Sequence, residues 1–322
     1  MYDDIPIFLI DFLNYLQTIK SLSDKTIKEY YYDMKLYLKY VMYRKNYGVY
    51  ENIEEIDIKK FDVNLLKEVT LIDIHSYLAF RDTTRSNSST TRARKISSLR
   101  TFYKYMTNVA KLLDYNPTLE LESPKQKKRN PVYLTLDESK RLLKIITLNK
   151  NPVLMRRDFA IVLTFLTTGL RLSELSSMNV NSIKDLKFTV VGKGNKERTV
   201  YMTEACKYAI DQYLAVRPKV DEKEKALFLS TRKTRMSNRA IQHMIEKYLN
   251  MAGFDTRVYS THKLRHTAAT LMYKEGVDIR TLQKILGHVS VATTQIYTHV
   301  EDEDMKEAIE INPLSHIDSD KL

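Results

Sequence analysis

The stretch from Asn116 to Pro131 constrains the fold of this chain more than any other. It holds three of the seven prolines, Pro117, Pro124 and Pro131, and the cations Lys125, Lys127, Lys128 and Arg129. Proline lacks an amide donor and breaks a helix interior, and a run of like charges has no apolar face to bury. The helical pattern stops at Asn116-Pro117, and Glu120 to Pro131 reads as a linker. Apolar residues recur at helical spacing on both sides. The expected organisation is therefore a first domain over 1–115, a basic linker over 116–133 and a second domain over 134–322. The length of 322 residues suits two domains equally well.

In the first half, Phe8, Leu9, Phe12, Leu13, Leu16 and Ile19 mark one helix. Ser23 can cap a second, which carries Ile27, Tyr30, Tyr31, Met34, Leu38 and Val41. A polar, acidic connector is expected near Glu51 to Lys60. Thr70 can cap a third helix through Ile74, Tyr77 and Leu78. Arg81 to Thr91, rich in Ser, Thr and Arg, reads as a loop. A fourth helix follows from about Thr91, with Ile96, Leu99, Phe102, Tyr103 and Met106 on its apolar face. Its cations Arg92, Lys95 and Arg100 are expected to face a nucleic-acid backbone, because Lys, Arg, Ser and Thr are the types that contact phosphates.

In the second half, Thr135-Leu136-Asp137-Glu138 is a capping box, and Asp158 to Leu166 reads as a central apolar helix. Gly169 is placed to stop it. Val191-Gly192-Lys193-Gly194-Asn195-Lys196-Glu197-Arg198-Thr199-Val200 reads as two strands around a Gly-Asn turn, with Lys193 at the tip. A helix from about Thr203 to Ala215, a short strand Leu227-Phe228-Leu229 and a helix capped by Ser237 follow. The fold class is mainly α, with a small antiparallel sheet.

Candidate chemistry gathers around two places. Arg171 lies just past Gly169 in Thr-Gly-Leu-Arg-Leu-Ser-Glu-Leu, with Glu174 three residues on to steady it. His262 and Arg265 are three apart and share a helical face. Leu286-Gly287 reads as a helix stop, His288 follows, and Tyr297 comes after a short run of helical character. Arg presents a planar, permanently charged fork that matches a phosphate. His donates a hydrogen bond or moves a proton near neutrality. Tyr can act as a nucleophile that forms a covalent intermediate. Together they suggest attack on a phosphodiester with the cations supplying charge stabilisation, so no metal and no cofactor is expected.

Lys and Arg number 52 against 40 Asp and Glu, a formal net charge of +12, which favours a polyanionic partner. The single cysteine, Cys206, rules out a disulfide framework, and the acidic N-terminus does not resemble a signal peptide. A cytoplasmic location without membrane attachment is expected.

Arg171, Lys193, His262-x-x-Arg265, His288 and Tyr297 occur in the order and approximate spacing of the tyrosine recombinase (phage integrase) family. Thr-Gly-Leu-Arg-Leu-Ser-Glu-Leu and Leu-Gly-His followed by Thr-Thr-Gln-Ile-Tyr-Thr-His resemble most its Xer branch. The likeness is strong over 131–300 and looser before it. It departs at Lys263, where the family often has an acidic residue, and at Ala268, where an aromatic is common; neither is a catalytic position.

The resemblance implies an N-terminal four-helix, SAM-like core-binding domain and a helical catalytic domain that together clamp duplex DNA at a specific recombination site. Tyr297 would form a 3′-phosphotyrosyl link, with Arg171, Arg265 and His288 stabilising phosphate charge. Lys193 would protonate the leaving 5′-oxygen, and His262 would assist near the tyrosine. The implied assembly is a homo- or hetero-tetramer, with a second Xer recombinase and a DNA translocase as possible partners, joined through a subunit-exchange tail at 301–322. Resolution of chromosome or plasmid dimers is the implied role. A mobile-element or phage integrase, a type IB topoisomerase and a non-catalytic DNA-binding protein remain open as alternatives.

Overall fold

In the computed structural model, residues 2–45, 52–85, 89–123, 132–191, 197–287 and Thr294 are described, with backbone alone over 81–85 and 89–90. The chain divides into two compact units at Lys128–Arg129.

The first unit contains α1 (Ile7–Thr18), α2 (Asp24–Arg44), the single turn α3 (Asn64–Lys67), α4 (Leu71–Arg85) and α5 (Ser89–Asn108). Ser23 caps α2 by accepting from the Thr26 amide. The core is aromatic: the Phe12 and Phe102 rings meet edge to face at 5.3 Å. Tyr37 and Tyr103, both fully buried, satisfy each other through their hydroxyls at 2.6 Å. Such pairs add to the area they bury, and the paired hydroxyls remove the penalty for burying phenols.

Two expected connecting segments differ from their sequence reading here. The connector near Glu51 to Lys60 is not merely polar, because Ile56, Ile58 and Phe61 are buried with Leu65, Leu66 and Val69 of the α3 region. These residues, two and three apart, turn inward between exposed charged neighbours, which a reading based on charge overlooks. The loop expected over Arg81 to Thr91 is largely helical, since α4 runs to Arg85 and α5 starts at Ser89. Ser, Thr and Arg cost only tenths of a kcal/mol each in a helix, and no Gly or Pro interrupts the run.

Lys95, expected to face DNA, is buried instead. Its ammonium lies 3.0 Å from Oδ1 of buried Asp33, which also accepts from Arg94 and from the Ser98 hydroxyl at 3.0 Å. A lysine enclosed this way does not reach a phosphate; it holds α5 against α2. Arg100 donates to the Ser123 hydroxyl at 3.0 Å and to the Leu121 carbonyl, tying α5 to the segment after it. Arg92 is half-buried.

The second unit is built around α7 (Pro152–Thr168), which packs against α6 (Leu136–Thr147), α9 (Glu204–Leu214) and α11 (Thr261–Lys274). Thr135 and Glu138 form the capping box of α6. Asn151 caps α7, with Pro152 at its first position. Ala160, Ile161, Val162 and Phe165 bury its inner face. Gly169 ends it in the left-handed region, at φ 62°. A Cβ at Gly169 would fall 2.8 Å from Leu286 Cδ2, so this end of α7 also packs too closely on the end of α12 (Ile279–Leu286) for any side chain.

The sheet is antiparallel in the order β1 (Ile183–Lys184), β2 (Lys187–Val191), β3 (Glu197–Tyr201). Phe188 pairs with Val200, and both side chains face the core. Leu227 to Leu229, expected as a strand, is not one. Ala226 before it and Leu229 at its end make only isolated bridges, to Asn179 and Arg235, and the Leu229 amide donates to the Tyr213 hydroxyl. The remaining elements are α8 (Leu172–Ser176) and α10 (Asn238–Met251). No helix among the described residues is long and apolar enough to cross a membrane.

Removing the Asp33 carboxylate would leave the Lys95 ammonium buried without its counter-ion. Asp33→Ala should destabilise the first unit by about 3–5 kcal/mol. Urea denaturation measures this; a loss below about 1 kcal/mol would show that Lys95 finds solvent instead.

Candidate active site

Glu174 is the centre of the site. Its side chain is 1% exposed, in the first turn of α8. Oε1 accepts from Arg171 Nη1 at 2.9 Å and from Arg198 Nη1 at 2.6 Å. Oε2 accepts from the Arg171 amide at 2.7 Å and from Arg198 Nη2 at 2.9 Å, and lies 4.0 Å from Arg265 Nη1. Three guanidinium groups thus surround one carboxylate. Burial pushes the Glu174 carboxyl up, but the Arg198 fork, the Arg171 amide and the Arg171 side chain outweigh it and hold the pKa down at about 2.

Local sequence sets this geometry. Gly169 ends α7 and Leu170 is buried, so the chain turns and Arg171 becomes the N-cap residue of α8. Glu174 at the third helical position then reaches back to the Arg171 amide, as the acidic member of a capping box does. Arg171 also donates from Nη2 to the Gly287 carbonyl at 2.9 Å, and about a third of its side chain remains exposed.

Arg265 lies deeper, with its side chain 4% exposed. Nη1 donates to the Gly169 carbonyl and Nη2 to the Leu286 carbonyl, both at 2.7 Å. These acceptors sit at the C-terminal ends of α7 and α12, where carbonyls lack helical partners and carry partial negative charge. Arg265 is therefore held by both glycine-capped helix ends, and Arg171 by the end of α12 and by Glu174.

His262 lies in the first turn of α11, three residues before Arg265, and its ring meets His266 edge to face at 4.6 Å. Much of its surface is open to solvent. Partial loss of water around the ring lowers its pKa below the usual imidazole range, and the charges of Arg265, Lys263 and Arg171 add to the effect. The neutral ring, able to accept a proton, is thereby favoured.

Arg171, Glu174 and Arg265 are brought together, with His262 on the same helix as Arg265. Lys193, His288 and Tyr297 lie outside the described residues, as do the tail at 301–322 and the run before the tyrosine apart from Thr294, which is buried. Arg198 belongs to the site and was not expected there. Its signal is the strand period: Arg198 shares a face with buried Val200, an unusual register for a charge unless it has a buried partner.

With this geometry in place, the relationships of the chain follow. Residues 132–304 match the phage integrase family, and residues 9–108 match the phage integrase N-terminal SAM-like domain. The chain belongs to the phage integrase family and is a site-specific tyrosine recombinase, an enzyme that breaks and rejoins DNA. It is of the Xer type. It is 51% identical over 314 residues to tyrosine recombinase XerC of Caldanaerobacter subterraneus subsp. tengcongensis, covering 96% of this chain and 88% of that protein. It is 34% identical to tyrosine recombinase XerC of Thermodesulfovibrio yellowstonii, with 96% of each chain covered. The fold is also similar to that of the XerH site-specific recombinase bound to a palindromic difH substrate in a post-cleavage complex. There the TM-score is 0.70 at 20% identity, with 97% of this chain and 98% of that one covered.

Glu174 titrates near pH 2 in the folded protein, against 4.5 for an ordinary glutamate. A depressed carboxylate pKa contributes stability that is fully present above the unfolded value and is lost as pH falls towards the folded one. The shift corresponds to roughly 3 kcal/mol. Glu174→Gln should therefore be much less stable than the unsubstituted chain near neutrality, and the gap should narrow as pH falls from about 5 to about 3. Urea denaturation across that range reads the gap; one that does not change with pH would remove the ion cluster as its source.

Proposed function

We propose that the chain cuts and rejoins duplex DNA through a 3′-phosphotyrosyl intermediate at Tyr297, and that it resolves chromosome or plasmid dimers. The observation that carries this reading is the pair Arg171 and Arg265, drawn from different helices and fixed on the adjacent carbonyls of Gly287 and Leu286, with part of the Arg171 side chain left open. A phosphodiester gains a second negative charge as a nucleophile adds, and donors placed in advance favour that state.

In this mechanism the Tyr297 oxygen attacks the scissile phosphorus and the bond to the 5′-oxygen breaks. Lys193 gives the departing oxygen its proton. His262, favoured neutral, accepts a proton or hydrogen bond near the tyrosine, and His288 joins the arginines on the phosphate oxygens. The phosphotyrosine retains the energy of the broken bond, so a 5′-hydroxyl from a second duplex can displace the tyrosine without ATP. Glu174 steadies Arg171. The proteins named XerC at 51% and 34% identity support the dimer-resolving role, and recombinases solved with bound DNA support a duplex substrate. A chromosomal or plasmid substrate implies the cytoplasm. The active assembly is a tetramer on DNA, homomeric or shared with a second recombinase and responsive to a translocase. The chain is organised as a DNA-clamp domain over 1–115, a linker over 116–133 and a catalytic domain over 134–322, whose tail docks on a neighbouring subunit. In the clamp domain, Arg92 and Arg100 are the remaining candidates for backbone contacts.

Covalent trapping on genomic DNA, followed by sequencing of the junctions, tests the reaction and identifies the site. Tyr297→Phe should bind that site and form no adduct, and adduct formation by the unsubstituted chain should survive a chelator. An adduct mapping to Tyr259 or Tyr273, or one abolished by chelator and restored by magnesium, would overturn the mechanism. Deleting 301–322 should leave single-site binding within about two-fold while strand exchange falls by at least roughly ten-fold. Full-rate exchange by the truncated chain would show that the tail does not join subunits.

A further inference from the structure

We propose that Arg198 is a positioning residue for the cleavage step. It locks the plane of the Glu174 carboxylate and backs the Gly287 peptide, so that Arg171 and Arg265 are held in one fixed arrangement. The inference rests on the reading that these two arginines bind the scissile phosphate.

The contact between Arg198 and Glu174 is a full fork on fork, Nη1 to Oε1 at 2.6 Å and Nη2 to Oε2 at 2.9 Å. Such a pair fixes both partners in a common plane, which a single hydrogen bond does not. Arg171 reaches Glu174 differently, with one side-chain bond and one amide bond. Were Arg198 absent, the carboxylate could turn about its own bond and carry the Arg171 fork with it.

A second contact points the same way. A Cβ at Gly287 would fall 3.0 Å from Arg198 Cδ and 3.1 Å from its Nε and Cζ. The guanidinium therefore lies directly against Gly287, whose carbonyl accepts from Arg171. The neighbouring Leu286 carbonyl accepts from Arg265. One side chain thus braces both the carboxylate and the backbone turn on which the two arginines hang.

The pairing with Glu174 stabilises the fold, but stability does not account for the whole arrangement. Arg198 Nε is buried and makes no hydrogen bond among the described residues, and an unmade buried donor is costly. Three guanidinium groups on one carboxylate also leave a net charge of about +2, an excess the carboxylate does not neutralise and one that suits a phosphate becoming doubly negative. Arg198 reaches the site from β3, and its partner from α8, so the contact joins the sheet to the helical core at this point.

The test uses the full chain and a nicked suicide duplex built from the mapped junction sequence. Arg198→Lys keeps the charge but loses the fork, and Arg198→Met keeps most of the volume but loses both. Both variants should melt above the assay temperature and bind the duplex within about two-fold of the unsubstituted chain. Single-turnover adduct formation at saturating DNA should slow by roughly 10- to 100-fold, as expected when aligned groups lose their placement. In a Glu174→Gln background, Arg198→Met should add little further loss, because the carboxylate it orients is already gone. Unchanged adduct rates for both variants would overturn the proposal. So would additive losses in the double variant, a change confined to DNA affinity, or variants that fail to fold at the assay temperature. Failure of the unsubstituted chain to form any adduct would instead overturn the cleavage reading beneath it.

Discussion

The catalytic unit depends on a buried carboxylate that is more strongly solvated by protein than it would be by water. Burying an isolated Glu174 would cost several kcal/mol. Two hydrogen-bonded guanidinium groups, a third at 4.0 Å and a backbone amide reverse the balance and keep the group ionised to about pH 2. The dependence runs both ways. Three guanidinium groups would repel one another without an anion between them, and the anion would take up a proton without them. What results is position more than stability, since the two phosphate-binding candidates are fixed before any substrate arrives.

Helix ends supply the rest of the frame. Gly169 and Gly287 both adopt the left-handed conformation that terminates a helix, at φ 62° and 63°. Each termination leaves carbonyls without helical partners, and Arg265 and Arg171 take them up. The glycines therefore do two jobs through one conformation: they stop α7 and α12, and they turn otherwise orphaned acceptors towards cations. The close approach of Gly169 to Leu286 brings the two ends together, so the acceptors for one guanidinium come from segments far apart in sequence.

Much of this was legible in the chain because it is local. The capping box at Thr135, the stops at Gly169 and Gly287 and the caps at Ser23 and Ser237 depend on residues within one turn of each other, and the structure shows each of them. The unread parts are those fixed at long range. Lys95 has a cationic, hydroxyl-rich neighbourhood in sequence, but its partner Asp33 is 62 residues away and buried. Arg198 is 24 residues from Glu174, and nothing near it in sequence marks the pairing except its inward strand register. The connector before α3 departs from its charge pattern for a related reason: its charges are conspicuous, but Ile56, Ile58 and Phe61 decide where it packs.

The same distinction bears on how a basic protein meets DNA. A formal charge of +12 supplies attraction at a distance without saying which cations touch the phosphates. Arg171 and Lys95 both pair with a buried carboxylate, yet their circumstances differ. Lys95 carries a compact ammonium on a side chain only 6% exposed, and its contact with Asp33 leaves no open face. Arg171 is 33% exposed and offers a fork broad enough to bond Glu174 and Gly287 while presenting another edge outward. An internal ion pair therefore does not by itself disqualify a cation from binding substrate. For arginine it can be the condition for doing so, because the pairing removes the freedom of a long side chain that binding would otherwise have to suppress.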